Sequence, residues 1–178
     1  MFQVPIFRYS LDWSPELKKD IINKVVLDKP EYQWKNGGVY TDYKSPSKSP
    51  EEPTFPHYYE YMLSIMGVAL EEFYKEIDIR FNFKDMFYQL YKKGSYHLTH
   101  NHGPLGYSGI LFVSFNKDVH TATRFYSPFL NFMDGSALIH YPVVKEGDLL
   151  IWPASLLHEA PTNESEEERI VVSFNLSK

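Results

Sequence analysis

Met86-Phe87-Tyr88-Gln89-Leu90-Tyr91, a Lys93-Gly94 turn, Tyr96-His97-Leu98-Thr99-His100-Asn101-His102, then Ser108-Gly109-Ile110-Leu111-Phe112-Val113: along this stretch the chain settles into a period of two. Alternating side chains on opposite faces is the signature of a β-strand. The same rhythm continues to the end of the chain. It predicts eight short strands at 86–91, 96–102, 108–115, 121–126, 137–141, 148–152, 156–161 and 169–176. The separators carry turn chemistry: Gly103-Pro104, Asn116-Lys117-Asp118, Asp134-Gly135, Glu146-Gly147 and Asn163-Glu164-Ser165.

Upstream of this stretch the period is helical. Ser14-Pro15 supplies an N-cap and a proline at the first helical position. Leu17, Ile21, Ile22, Val25 and Val26 follow at helical spacing, and Lys29-Pro30 is the expected stop. A second helix is predicted from near Pro56, with Met62, Ile65, Met66, Ala69, Leu70, Phe73 and Ile77 on one stripe. Between them, residues 28–55 are dense in Pro, Gly, Ser and Lys and read as one long loop. With Tyr32, Trp34, Tyr40 and Tyr43 it is a candidate lid.

Together these readings predict one domain over 1–178, mainly β with flanking helices. Residues 1–85 would be helical support and loop, and 86–178 a core built as a double-stranded β-helix, the cupin-like jelly roll. A generic β-sandwich buries alternate residues in the same way and is the competing architecture.

Composition narrows the function. Aromatics make up 17% of the 178 residues, which favours pleated, half-buried surfaces. The net charge of −5 makes nucleic acid an unexpected partner, because that binding needs basic surface. Cysteine is absent, so thiol nucleophiles, disulfides and Cys-based metal sites are excluded. Met1–Trp13 has no apolar signal region, and no apolar run approaches a membrane span, so a soluble cytoplasmic protein is expected.

Histidine carries the chemistry. Seven occur, and three fall within Tyr96–His102. Strict alternation would put Tyr96, Leu98, His100 and His102 on one face, and His97, Thr99 and Asn101 on the other. Two imidazoles on one face can reach one metal ion, and imidazole suits iron, zinc, copper and nickel. A polar strand end with scattered surface histidines is the ordinary alternative. His158 lies in the apolar run Leu156-Leu157-His158, where a lone histidine is more often a satisfied core residue. Arg169 opens the last strand, where a buried guanidinium needs an anion. A salt bridge to the acidic loop Glu164–Glu168 would also account for it.

The order of these motifs resembles the prolyl-hydroxylase-like 2-oxoglutarate/Fe(II) oxygenases, and more closely their bacterial and phage type. The stretches that carry the likeness are Tyr88–His102, Tyr107–Val113, Glu146–Pro153, Leu157-His158 and Arg169–Asn175. Their order and spacing are more specific than any one of them, and they cover about residues 86–178.

The resemblance implies Fe(II) as metal, 2-oxoglutarate and dioxygen as cosubstrates, and hydroxylation of a further substrate. It implies His100 and His158 as metal ligands. It also implies Arg169 as partner of the 2-oxoglutarate distal carboxylate and Tyr91 in the wall of that pocket. Two positions depart from the family pattern. His102 stands where a carboxylate ligand is usual, and Leu111-Phe112 replaces an aromatic pair that often supplies a tyrosine hydroxyl, leaving Ser173 as its substitute. Two histidines and a carboxylate would leave Fe(II) at net +1; three histidines leave it at +2, which dianionic 2-oxoglutarate would cancel. The triad also admits a cupin-like three-histidine dioxygenase independent of 2-oxoglutarate. A non-catalytic jelly-roll binding module is the third reading. His97, His120 and His140 are expected not to be ligands, and Arg124 is expected to face solvent.

Overall fold

The structure, a computed structural model, describes residues 4–26, 32–43 and 55–178. Two helices and eleven strands follow in the order β1 (Phe7–Ser10), α1 (Pro15–Val25), β2 (Tyr32–Gln33), β3 (Tyr40–Thr41), α2 (Tyr59–Ile77), β4 (Asn82–Tyr91), β5 (His97–His100), β6 (Tyr107–Ser114), β7 (Arg124–Leu130), β8 (Ala137–His140), β9 (Asp148–Pro153), β10 (His158–Ala160) and β11 (Arg169–Ser177). The strands form two antiparallel sheets: a large one in the order β1-β9-β6-β11-β4-β3-β2 and a small one in the order β5-β10-β7-β8. This is the predicted mainly β fold with a jelly-roll core.

Alternation along the large sheet sorts its side chains between two cores. Met86, Tyr88 and Leu90 of β4, Leu111 and Val113 of β6, Leu149 and Ile151 of β9, and Ile170, Val172 and Phe174 of β11 face the helices. Their alternates Tyr91, Ile110, Phe112, Leu150, Trp152 and Val171 face the small sheet. The site lies on that second side. Helix α2 covers the first with Met62, Met66, Ala69, Leu70 and Phe73, all buried as its stripe predicts. Ser14 caps α1 by accepting from the Leu17 amide at 3.1 Å, with Pro15 behind it. No helix among the described residues is long and apolar enough to cross a membrane.

The expected long loop is partly strand. Tyr40 and Thr41 pair with Leu90 and Gln89, so β2 and β3 extend the large sheet. Strands of two residues are too short to register as a period. Residues 27–31, with the expected helix stop at Lys29-Pro30, and residues 44–54 lie outside the described residues. β1 is not predicted because four residues give too little pattern; it borders β9. β7 runs to Leu130 rather than 126 and begins at Arg124 rather than 121. Pro128 conceals its second half. A proline is tolerated there because β10 pairs with β7 only at Arg124 and Phe125, and the β7–β8 register shifts between Tyr126 and Leu130.

One glycine records how closely the large sheet is packed. Gly109 is paired with Phe174 across β6 and β11, and a Cβ at residue 109 would stand 2.1 Å from the Phe174 ring. That ring is 1% exposed. We expect Gly109→Ala to cost about 1–3 kcal/mol by overpacking. Urea unfolding measures this, and an unchanged midpoint would show that the ring has freedom the packing denies it.

Candidate metal centre

The metal-binding geometry begins with a mismatch in the small sheet. On one side of β10, His158 pairs with His100; two residues on, Ala160 pairs with His97, three residues back along β5. β5 therefore carries one extra residue, a β-bulge, and a bulge re-aims the side chains around it. Strict alternation would have opposed His97 and His100. Instead their ring centroids are 4.1 Å apart and both line one cavity. His102 follows the end of β5, where its amide donates to the Ala154 carbonyl at 2.8 Å. The turn after β9 thus holds the third imidazole in place.

His100, His102 and His158 come together with their candidate ligand nitrogens all within 4.8 Å of one another. Nδ1 of His158 lies 2.9 Å from the Leu156 carbonyl and Nδ1 of His100 lies 2.6 Å from the Leu98 carbonyl. A carbonyl only accepts, so each Nδ1 carries the ring proton and each Nε2 presents a lone pair. Backbone partners of this kind fix the tautomer of a metal-ligating histidine. Nε2 of His102 and Nε2 of His158 are 3.3 Å apart. Two nitrogens each about 2.1 Å from one ion, at an angle near about 105°, would show this spacing. The donor set fits a divalent transition metal.

The surroundings keep these rings neutral. Burial, followed by the proximity of His100, holds His158 down to about 3. Burial and then His100 hold His102 down to about 4, and burial lowers His100 as well. Trp152 stands edge-on to His158 at 4.8 Å between ring centroids, with Phe125 behind it at 6.0 Å.

The cavity in front of the triad, between the sheets, has a volume of about 40 Å³. Its walls include Gln89, Tyr91, Ser108, Thr123, Ser173 and Asn175, and among the described residues no carboxylate or cationic side chain. The polar groups are chained. Ser173 donates to Gln89 Oε1 at 2.7 Å, and Gln89 Nε2 meets His97 Nδ1 at 3.3 Å. Ser108 donates to Asn175 Oδ1 at 2.7 Å, and Asn175 Nδ2 donates to Asp85 at 2.7 Å.

Of the expected cosubstrate residues, Tyr91 and Ser173 line this cavity and Arg169 lies behind Tyr91. The Arg169 guanidinium is 4.2 Å from the Tyr91 ring centroid, and Arg169 is 2% exposed. Its two terminal nitrogens donate to the carbonyls of Thr121, at 2.6 Å, and Pro161, at 3.0 Å. The salt bridge to the acidic loop is not made. Glu166 and Glu168 pair with Lys93 and Lys92, and no carboxylate among the described residues pairs with Arg169. Burial pulls its pKa below the ordinary guanidinium range. Burial also pushes the Tyr91 hydroxyl up to about 12, against the opposing pull of Arg169.

Other side chains depart from expectation or bear it out. Arg124 is not left to solvent. Its Nε donates to Glu159 at 2.5 Å, and Glu159 also accepts from Tyr126 at 2.9 Å and from Thr99. His97 is outside the triad but inside the cavity, wedged between Trp34 and His100, with 4.5 Å between its centroid and that of Trp34. Only the bulge, which the sequence does not announce, puts it there. His120 is occupied by the Asn116 amide and the Glu167 carbonyl, and His140 sits on an exposed strand. Trp34 and Tyr43 of the candidate lid pack on Phe87 in the cavity wall, whereas the Tyr32 side chain lies outside the described residues.

Solved structures share this fold. A prolyl-4-hydroxylase from Pseudomonas putida matches 98% of this chain and 93% of its own, with a TM-score of 0.65 at 13% identity. The viral collagen prolyl hydroxylase of Paramecium bursaria Chlorella virus 1, in complex with 2-oxoglutarate, matches 96% and 94%, with a TM-score of 0.62 at 13% identity. HygX from Streptomyces hygroscopicus, with nickel and 2-oxoglutarate bound, matches 98% and 83%, with a TM-score of 0.68 at 11% identity. At such identities the likeness is one of fold. No curated protein matches the chain in sequence. The family model described as "Putative 2OG-Fe(II) oxygenase" matches residues 85–175, just over half of the chain and all the strands around the histidine cluster, and the chain belongs to that family.

Proposed function

We propose that this protein is an Fe(II)- and 2-oxoglutarate-dependent oxygenase that hydroxylates its substrate. In this reading His100, His102 and His158 hold the metal, while Arg169, Tyr91 and Ser173 serve the cosubstrate. The observation that carries it is the convergence of three imidazoles, two with their Nδ1 protons already committed to carbonyls, at the mouth of a cavity backed by an uncompensated guanidinium.

Bound there, Fe(II) with 2-oxoglutarate and dioxygen would supply the oxidising chemistry; the protein supplies position and a dry cavity. Neutral imidazoles at pH 7 bind a cation without first losing a proton. Three of them leave the site at +2, which the dianionic cosubstrate cancels. Arg169 answers the same dianion from the far end. Each terminal nitrogen has a second N–H beyond the one given to a carbonyl, and a full charge in a buried site acts strongly over a few ångströms. Tyr91 keeps its phenolic proton at any working pH and so can donate. Ser173, fixed by Gln89, faces the same space.

A second reading has an observation of its own. Arg169 does not line the cavity, which suits a three-histidine dioxygenase that needs no 2-oxoglutarate. Oxygen uptake without succinate formation would select it.

Adding 2-oxoglutarate anaerobically to the Fe(II)-loaded protein should produce a metal-to-ligand charge-transfer band in the visible range. Absence of the band with iron bound would overturn the proposal. Arg169→Ala should keep its iron yet need about 10–100-fold more 2-oxoglutarate for half of that band, the loss expected for one charge-assisted contact. Unchanged affinity would remove Arg169 from the role.

The lowered histidine values also fix a pH dependence for the metal-free protein. These imidazoles titrate near about 6.5 when unfolded and at about 3 to about 4 when folded. Their contribution to stability is therefore complete above the unfolded value and is lost as pH falls through the folded ones. The urea midpoint of the metal-free protein should drop between pH 7 and pH 4. His97→Gln, which removes one such group, should flatten that drop; an identical profile would show that His97 titrates normally.

A further inference from the structure

The twenty residues from Phe125 to Val144 carry one charge, Asp134, in a chain that is 23% charged. They form the β7–β8 hairpin and the segment after it. Eight large apolar side chains between 129 and 143 are exposed, led by Phe132 at 93%, Val143 at 82% and Met133 at 77%. Taking roughly 200 Å² for a large side chain, they leave about 1,000 Å² of apolar surface in water. The largest apolar patch on a monomer is typically about 300–600 Å².

The patch ends in an open strand edge. Among the described residues β8 is the last strand of the small sheet and borders only β7. All four of its residues, Ala137-Leu138-Ile139-His140, are exposed, with no lysine or proline among them. Edges are normally blunted by such residues, because unpaired N–H and C=O groups invite another strand. Beside β8 a groove of about 710 Å³ runs between the hairpin and Val4–Ile6, with Phe125 and Leu156 in its wall. The two-sheet sandwich is unclosed along this seam.

We propose that the occupant is a second copy of this chain, paired β8 to β8 around a two-fold axis. The edge suits itself. An antiparallel pairing of two β8 strands sets the Phe132-Met133 tip of one copy beside the Tyr141–Val143 end of the other, and reciprocally. This is what an isologous interface requires. Two four-stranded sheets become one of eight. The area suffices, since each partner of a stable complex buries about 800 Å². Charge is permissive there: each copy carries −5 overall but only Asp134 in the patch.

Sedimentation velocity on the full chain between about 1 and 100 µM tests this, with hydrogen exchange at both ends of the range. The wild type should sediment as a dimer at the upper end, with slowed exchange at 137–140. Phe132→Asp/Met133→Asp should weaken association at least about 100-fold, as expected for removal of buried interface anchors. Because both side chains are exposed, its circular dichroism and melting temperature at low concentration should match the wild type. Ile139→Lys, on the edge itself, should act likewise. A wild type that stays monomeric at 100 µM, with fast exchange in β8, would overturn the proposal. So would a double variant that dimerises as the wild type does; the patch would then belong to a substrate or another protein.

Discussion

The pairing of β5 with β10 is the contact on which the site depends. It places His100 directly opposite His158, with 4.4 Å between their ring centroids. The register holds because each strand is fixed from elsewhere. β10 is pinned on its other side by Phe125 and Arg124 of β7, and the chain beyond β5 is tied by the His102 amide to the Ala154 carbonyl. Behind this small sheet the far face of the large one is covered by the two helices. Glu159 adds a clamp on the outer face, drawing Thr99 of β5 and Arg124 and Tyr126 of β7 onto β10. The three strands that build the site are thereby joined twice, by backbone pairing and by side chains.

Charge gives the cavity its second constraint. The polar side chains along its floor are chained to neighbours: Ser173 to Gln89, Ser108 to Asn175, Asn175 to Asp85. None of them brings a formal charge into the cavity. Behind the cavity wall Arg169 is a buried cation, held by carbonyls rather than by a carboxylate. A guanidinium so placed is costly to bury, and a dianion at the triad would lower that cost from across the cavity. Replacement of a carboxylate by His102 works in the same direction, since it raises the positive charge that an anionic cosubstrate meets. The two departures from the usual arrangement are therefore coupled through electrostatics rather than independent.

Much of this architecture is legible in the amino-acid sequence. The period of two from residue 86, the apolar stripe of α2 and the Ser14-Pro15 cap each reflect local physics, and each appears in the structure, although β4 begins at Asn82, four residues before the predicted start. The histidines of the triad are legible because spacing and motif order carry them. What escapes has no local signature. β1, β2 and β3 are too short to show a period. Pro128 is misleading on its own and is explained only by where β10 ends. Arg124 finds Glu159 only after two strands have been brought together.

His97 is the most instructive of these failures. Alternation assigns it to the face opposite His100, and one inserted residue in β5 reverses that assignment. Its new position links two parts of the molecule. Its ring lies against His100 on one side and Trp34 on the other, and its Nδ1 meets Gln89, which is bound to Ser173. Trp34 belongs to the β2–β3 hairpin, and that hairpin is anchored by the Gly37 carbonyl, which accepts from the Tyr96 amide one residue before His97. A displacement of the hairpin would therefore press on a triad ring through a single intervening imidazole. It would also reach, through Gln89, Ser173 in the cavity wall. The bulge thus does more than aim His100. It connects the β2–β3 hairpin to both halves of the proposed centre, so His97 has a structural role that needs no place among the proposed metal ligands.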